Sequence, residues 1–70
     1  MKTLPEQIAC AKRELEKRRE HYPIRVAEGK MSEDAAQHQT ECMEGIVATL
    51  EKVQMLAEVS EEMKKHERVQ

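Results

Sequence analysis

The sequence predicts an all-α fold: an antiparallel helical hairpin of a short helix, an elbow and a long helix, which dimerises into a helical bundle. Apolar residues recur at spacings of three and four along most of the chain. Helix-capping residues stand at Thr3 and Ser32, and between them Pro23 and Gly29 are signals that end a helix. With 70 residues and no linker, we predict one domain, residues 1–70.

Helix 1 is predicted over about residues 4–22. Thr3-x-x-Glu6 has the form of a capping box, and Pro5 falls in the first turn, where its missing N–H costs nothing. We expect Arg18 to lie on the seam between the helices, with its methylenes on the neighbouring helix and its guanidinium on an acid such as one of helix 2. The other residues of this seam are apolar: Leu4, Ile8, Ala11, Leu15 and Tyr22.

The elbow is predicted over residues 23–31. Pro23 cannot donate a helical hydrogen bond and disfavours α geometry at Tyr22, so helix 1 is expected to end there. Gly29 suits the left-handed residue that follows a helical turn, which makes Ile24–Glu28 a single short turn. The residues expected to fix the angle and register of the two helices are Pro23, Val26, Gly29 and Met31.

Helix 2 is predicted over about residues 32–65, with a frayed tail at 66–70. The Ser32 hydroxyl is expected to cap it by accepting from the amide of Asp34 or Ala35. Its predicted contact stripe consists of Ala35, Gln39, Cys42, Met43, Ile46, Leu50, Val53 and Ala57. A second apolar set lies on another face: Ala48, Met55, Val59 and Met63.

The two helices differ in length, since about 34 residues give roughly 50 Å and about 19 give roughly 28 Å. Helix 1 is therefore expected to cover helix 2 only as far as about residue 50, and apolar residues beyond that point have no partner in the chain. We predict a homodimer whose interface contains Val53, Leu56, Val59 and Met63.

Composition excludes several classes of protein. The chain has no Phe or Trp and is 37% charged, so it cannot build an aromatic-rich core. Cys10 and Cys42 form no C-x-x-C pattern, and no apolar run reaches the roughly 18 residues that span a bilayer. We therefore expect reduced thiols, no membrane association and a cytoplasmic location.

No pattern indicates an enzyme. Ser32 and Ser60 are the only serines, neither lies in a nucleophile elbow, and there is no glycine-rich phosphate loop. His38 and Cys42 have the i, i+4 spacing at which two side chains could share a metal, but structural zinc sites normally need four ligands. We predict no catalytic residue, cofactor, metal or small-molecule substrate.

Charge is distributed unevenly. Residues 1–31 hold eight Lys or Arg against five Glu (+3), and residues 32–70 hold four against nine acids (−5). Because the C-terminal half is assigned to the dimer, basic helix 1 is the surface left for another partner. The predicted partner-binding residues are Arg13, Lys17, Arg19, Tyr22 and Arg25. An alternative is that the basic face binds nucleic acid, although acids interrupt it and the pI is about 5.9.

A set of spaced residues resembles a family of small, uncharacterised helical proteins encoded by tailed phages and prophages. The matching residues span about Ala11–Val53 and are Arg13-Glu-Leu15, Tyr22-Pro23, Val26, Gly29-Lys-Met31, Ala36, Met43 and Ile46-x-x-Thr-Leu50. Family members commonly carry an aromatic residue two positions after the proline, where this chain has Arg25.

The resemblance implies a small phage product that acts inside a bacterium. Together with the absence of catalytic motifs, it predicts a non-catalytic module that binds a host protein and inhibits or modulates it. The host protein is expected to be a regulator such as a transcription factor, a defence factor or a cellular machine. The alternative is a nucleic-acid-associated accessory factor that uses the basic face of helix 1.

Overall fold

A computed structural model describes the backbone of residues 2–69 and the side chains of residues 2–63. It contains two helices, α1 (Leu4–Ala27) and α2 (Glu33–Val69), and no strand in the described residues. Their contacts run antiparallel: Lys12 near the start of α1 meets Glu51, and Arg19 further along meets Glu44. The predicted all-α hairpin is confirmed.

The predicted start of α1 is confirmed at Leu4. The Thr3 hydroxyl oxygen accepts from the Glu6 amide at 3.4 Å and donates to the Glu6 carboxylate at 2.9 Å. Pro5 lies in the first turn, where helical amides have no partner within the helix. The cap therefore satisfies one of the free amides at this end of α1.

The predicted end of α1 at Tyr22 is wrong, because the helix continues through Pro23 to Ala27. Pro23 leaves the carbonyl of Arg19 without its helical donor. The continued turn has a compensating effect: it places Val26 four residues after Tyr22 on the same face, and both side chains are half-buried. The connection is consequently residues 28–32, shorter than the predicted elbow at 23–31.

Gly29 ends α1 in the left-handed conformation, as predicted, with φ at 72°. Its amide donates to the Val26 carbonyl at 3.0 Å, and the Lys30 amide donates to the Arg25 carbonyl at 2.9 Å. This pair of bonds is the Schellman motif, which satisfies carbonyls that the helix end leaves free. The chain thus reverses direction within five residues.

Ser32 caps α2 as predicted, since its hydroxyl oxygen accepts from the Ala35 amide at 3.1 Å. The helix then runs to Val69, beyond the predicted end near Lys65. For residues 66–69, part of the predicted frayed tail, the structure describes the backbone alone, and Gln70 lies outside the described residues.

The core between the helices is small. No side chain of residues 2–63 is less than 2% exposed. Five apolar side chains are buried with 7–8% of their surface exposed: Ile8, Ala11, Leu15, Met43 and Val47. Leu50 packs against four of them: Ala11, Leu15, Met43 and Val47. The α1 seam matches the prediction, with Leu4, Arg18 and Tyr22 half-buried beside the core.

The predicted contact stripe of α2 is wrong in its rotation. Met43 is buried and Leu50 half-buried as expected, but Ile46 is 50% and Val53 48% exposed. The other predicted members are exposed as well: Ala35, Gln39, Cys42 and Ala57. The observed seam uses Ala36, Thr40, Met43, Val47, Leu50 and Gln54.

Two polar contacts let this less apolar face of α2 meet α1. The Thr40 hydroxyl donates to the Ala36 carbonyl at 2.8 Å, so its partial burial leaves no unmet hydrogen bond. Arg18 donates to the Gln39 carbonyl at 2.8 Å and to the Glu14 carboxylate at 3.1 Å. The acid expected for Arg18 therefore comes from α1, and α2 supplies a backbone oxygen.

The hairpin is long and thin, at 63 × 20 × 17 Å with a radius of gyration of 17.7 Å. A compact 70-residue chain has a radius of gyration of about 11 Å. The accessible surface is 5957 Å², whereas a compact monomer of this mass exposes about 4,500 Å². The chain alone therefore leaves uncovered a large surface that a compact fold would bury.

Candidate functional site

The first candidate site is a row of basic side chains on α1. Arg13, Lys17, His21 and Arg25 follow one another at steps of four, and we call them the basic ridge. Residues four apart are neighbours on a helix surface, so the ridge extends for about 18 Å. All four residues are exposed.

The ridge differs from the other cations of α1 in its ion pairs. Lys12 meets Glu51 at 3.6 Å, Arg18 meets Glu14 at 3.1 Å, and Arg19 meets Glu44 at 3.6 Å. Among the side chains of residues 2–63, no ridge member is in an ion pair. The ridge therefore presents positive charge that no described side chain neutralises.

The predicted partner-binding residues fall into two groups. Arg13, Lys17 and Arg25 belong to the basic ridge. Arg19 points toward α2, where it pairs with Glu44, and Tyr22 is half-buried on the seam. The structure thus does not place all five on one surface.

Tyr22 borders two open grooves at the loop end of the hairpin. One, of about 490 Å³, lies between the helices and is lined in part by Arg19, Tyr22 and Pro23. The other, of about 510 Å³, lies along α1 and is lined in part by Lys17, Tyr22 and Arg25. Tyr22 therefore connects the basic ridge to the groove between the helices.

The predicted elbow residues contribute to this end of the molecule in different ways. Pro23 and Val26 line the groove between the helices from within α1. Gly29 supplies the reversal of the chain, and Met31 is half-buried in the connection. They fix the position of the grooves beside Tyr22.

The second candidate site is an apolar row on α2. We call it the α2 stripe: Cys42, Ile46, Thr49, Val53, Leu56, Ser60 and Met63. Its spacing alternates four and three, which is the heptad spacing of a helix that packs along a neighbour. By helical steps it lies about 120° around α2 from the seam with α1.

The four predicted dimer residues have between 48% and 63% of their surface exposed. Val53 is 48% exposed, Leu56 56%, Val59 49% and Met63 63%. Three of them lie on the α2 stripe, and Val59 lies beside it. The coverage by α1 ends later than predicted, since Gln54 is still half-buried while residues 55–63 are all exposed.

Both surfaces contain residues outside the predicted sites. The predicted partner site omits His21, although the sequence places it four residues from both Lys17 and Arg25. Cys42 and Ile46 were assigned to the seam because an apolar row at heptad spacing does not reveal which neighbour it faces.

His38 and Cys42 lie side by side, with the Cys42 sulfur 3.6 Å from His38 Nε2. Within the described residues, no group of three or more His, Cys, Asp or Glu side chains is arranged to hold a metal ion. The pair is a local contact on the surface of α2.

Comparison with protein-family models, curated proteins and solved structures gives no match to the chain. In the described part of the chain, neither helix is both long and apolar enough to cross a bilayer.

Proposed function

We propose that this chain is a non-catalytic protein-interaction module that acts in the cytoplasm of a bacterium. It binds a host protein and inhibits or modulates it, and transcription regulators, defence factors and cellular machines are the target classes. The observation that carries the proposal is the basic ridge, whose exposed cations have no ion pair among the described residues.

The free cations indicate the chemistry of the partner. A carboxylate that approaches Arg19 competes with Glu44, whereas one that approaches Arg13 or Lys17 meets no such competitor among the described residues. An acidic protein surface would be steered to the ridge by its charge and held by charge-assisted hydrogen bonds. The partner we propose is therefore acidic where it touches α1.

Tyr22 is the proposed anchor within this surface. Tyr and Arg are enriched among residues that dominate binding energy at interfaces. Tyr22 lies between two grooves into which partner side chains fit, and the ridge residues Lys17 and Arg25 stand beside it.

The proposal includes a homodimer that forms through α2. The basic ridge lies on α1 and the α2 stripe on the other helix, so the two surfaces serve different partners. A dimer presents two copies of the ridge, which raises the apparent affinity for a target that also has two sites.

The ridge also favours the alternative, a nucleic-acid accessory factor, because unpaired cations at regular spacing contact phosphates equally well. The salt dependence of binding distinguishes the two functions. For binding to DNA through the three cations Arg13, Lys17 and Arg25, log K falls linearly with log[salt], with a slope of about −3.

The test compares two charge-reversed variants of the dimeric protein. The ridge variant carries Arg13→Glu, Lys17→Glu and Arg25→Glu. The control carries Lys2→Glu, Lys12→Glu and Lys30→Glu, which changes net charge equally at cations already in ion pairs. The wild type first identifies its partner by capture from bacterial lysate, and Kd is then measured for each variant.

We expect the ridge variant to lose at least about 30-fold in affinity, equivalent to one interface hot spot of about 2 kcal/mol. The control is expected to change by less than about threefold. Equal affinity of the ridge variant and the wild type would place the binding surface elsewhere.

A further inference from the structure

The exposed surface of the whole chain can be compared with the area that a protein interface requires. The chain exposes about 1,450 Å² more than a compact monomer of its mass. A standard protein interface buries about 800 Å² on each partner. The excess is therefore sufficient for a stable interface with one other chain.

We infer that the α2 stripe packs antiparallel against the α2 stripe of a second copy, with Val53 opposite the partner's Leu56. This inference rests on the self-association included in the proposed function. It adds the orientation and register of the two chains, and it extends the interface toward the loop as far as Ile46.

The register follows from matching residue types. With Val53 opposite the partner's Leu56, Ile46 faces the partner's Met63 and Thr49 faces the partner's Ser60. Every apolar residue between 46 and 63 then meets an apolar residue, and the two hydroxyl residues meet one another. A shift by one heptad in either direction shortens the apolar overlap or places Thr49 against Val53.

Two differences between the halves of α2 favour the antiparallel orientation. Residues 55–63 carry three Glu and no Lys or Arg, whereas residues 46–54 carry one Glu and one Lys. An antiparallel pair sets the charge of −3 against a neutral segment, and a parallel pair sets −3 against −3. Like charges on neighbouring helices are unfavourable.

Support from α1 gives the second difference. In an antiparallel pair, the uncovered residues 55–63 lie on a part of the partner's α2 that the partner's own α1 already holds in place. In a parallel pair the two uncovered ends would have only one another. The β-branched Ile46 and Val53 with Leu56 suit parallel and antiparallel coiled coils alike, so charge and the support from α1 decide the orientation.

The interface is tested by sedimentation equilibrium on matched variants of the full chain. The stripe variant is Val53→Asp with Leu56→Asp. The control is Ala48→Asp with Met55→Asp, which adds the same charge to the same helix on exposed positions roughly 120° from the stripe. We expect a dimer for the wild type and control, and a helical monomer for the stripe variant.

Orientation is tested by the distance between spin labels at Gln37→Cys, in a chain with Cys10→Ser and Cys42→Ser. The inferred register separates the two labelled positions by 35 residues, or about 52 Å along the helix axes. In a parallel dimer they would stand side by side, about 10–20 Å apart.

A dimer with a label distance near 50 Å supports the inference. A dimer with a distance below about 20 Å overturns the antiparallel orientation and leaves the proposed homodimer standing. A monomeric wild type, or a stripe variant that dimerises as well as the control, overturns both. Binding through the basic ridge is measured separately, because its variants leave α2 unchanged.

Discussion

Two segments of the continuous helix α2 differ in their tertiary packing. In residues 33–54, the covered segment, Met43 and Val47 are buried against α1. In residues 55–69, the projecting segment, every side chain from 55 to 63 is exposed. The difference shows that helical backbone and tertiary packing are supplied by separate features of this sequence.

The projecting segment is helical for local reasons. Residues 55–69 contain neither Gly nor Pro, and nine of the 15 are Leu, Met, Glu or Lys, which favour helix. A separate helix of about 15 residues is nevertheless marginal in water, so this segment depends on the covered segment to continue the helix.

The difference is tested by truncating one leucine that packs against the covered segment and one leucine that lies in the projecting segment. Leu15→Ala removes a core residue that is 7% exposed and faces the covered segment, so it should destabilise the fold by about 2–4 kcal/mol. Leu56→Ala removes a side chain that is 56% exposed, so it should cost less than about 1 kcal/mol in the monomer.

Urea denaturation measures both, at protein concentrations low enough that the midpoint no longer depends on concentration. Since both changes are Leu to Ala within a helix, helix propensity cancels and burial remains. Equal losses for the two variants would show that the projecting segment packs within the monomer after all.

A substitution at Gly29 tests whether the chain reversal holds α1 on the covered segment. Gly29→Val places a β-branched residue at a φ of 72°, which should cost about 1–2 kcal/mol. A Cβ at Gly29 meets no atom within 4 Å, so the cost is conformational and not steric.

Gly29→Asn is the control for this variant, because Asn tolerates the left-handed region. Thermal unfolding should rank the wild type first, then the Asn variant, and the Val variant last. If the Val variant melts with the wild type, the Schellman motif does not contribute to stability.

The third and smallest effect concerns the exposed side of the covered segment. Gly45→Ala should stabilise α2 by up to about 1 kcal/mol, since Ala favours helix over Gly and a Cβ there meets no atom within 4 Å. Amide hydrogen exchange should slow in both the covered segment and the projecting segment. A lower stability in the monomer would mean that another group approaches Gly45 closely.

The two helix caps and the chain reversal could be predicted from the sequence because each depends on a few neighbouring residues. Thr3, Gly29 and Ser32 each perform the predicted task through hydrogen bonds to residues at most three positions away. The prediction from Pro23 is wrong for a complementary reason. Its local preference is to end a helix, but continued packing of Val26 along the seam favours one more turn.

The face of α2 that meets α1 could not be read from periodicity. The α2 stripe and the true seam both repeat at heptad spacing, and Ile46 and Val53 are more apolar than Thr40 and Gln54. Hydrophobicity therefore selected the wrong face. The short connection at residues 28–32 and the hydrogen bonds of Thr40 and Arg18 distinguish the faces, and they become visible only in three dimensions.

Arg18 reaches across the hairpin to a main-chain oxygen, the carbonyl of Gln39. Every amino acid provides that oxygen, so this contact tolerates any helix-compatible residue at position 39. Position 18 has no such freedom, because the side chain there must span the gap and donate to both Glu14 and α2. The contact therefore constrains the residue at position 18 and leaves the residue at position 39 unconstrained.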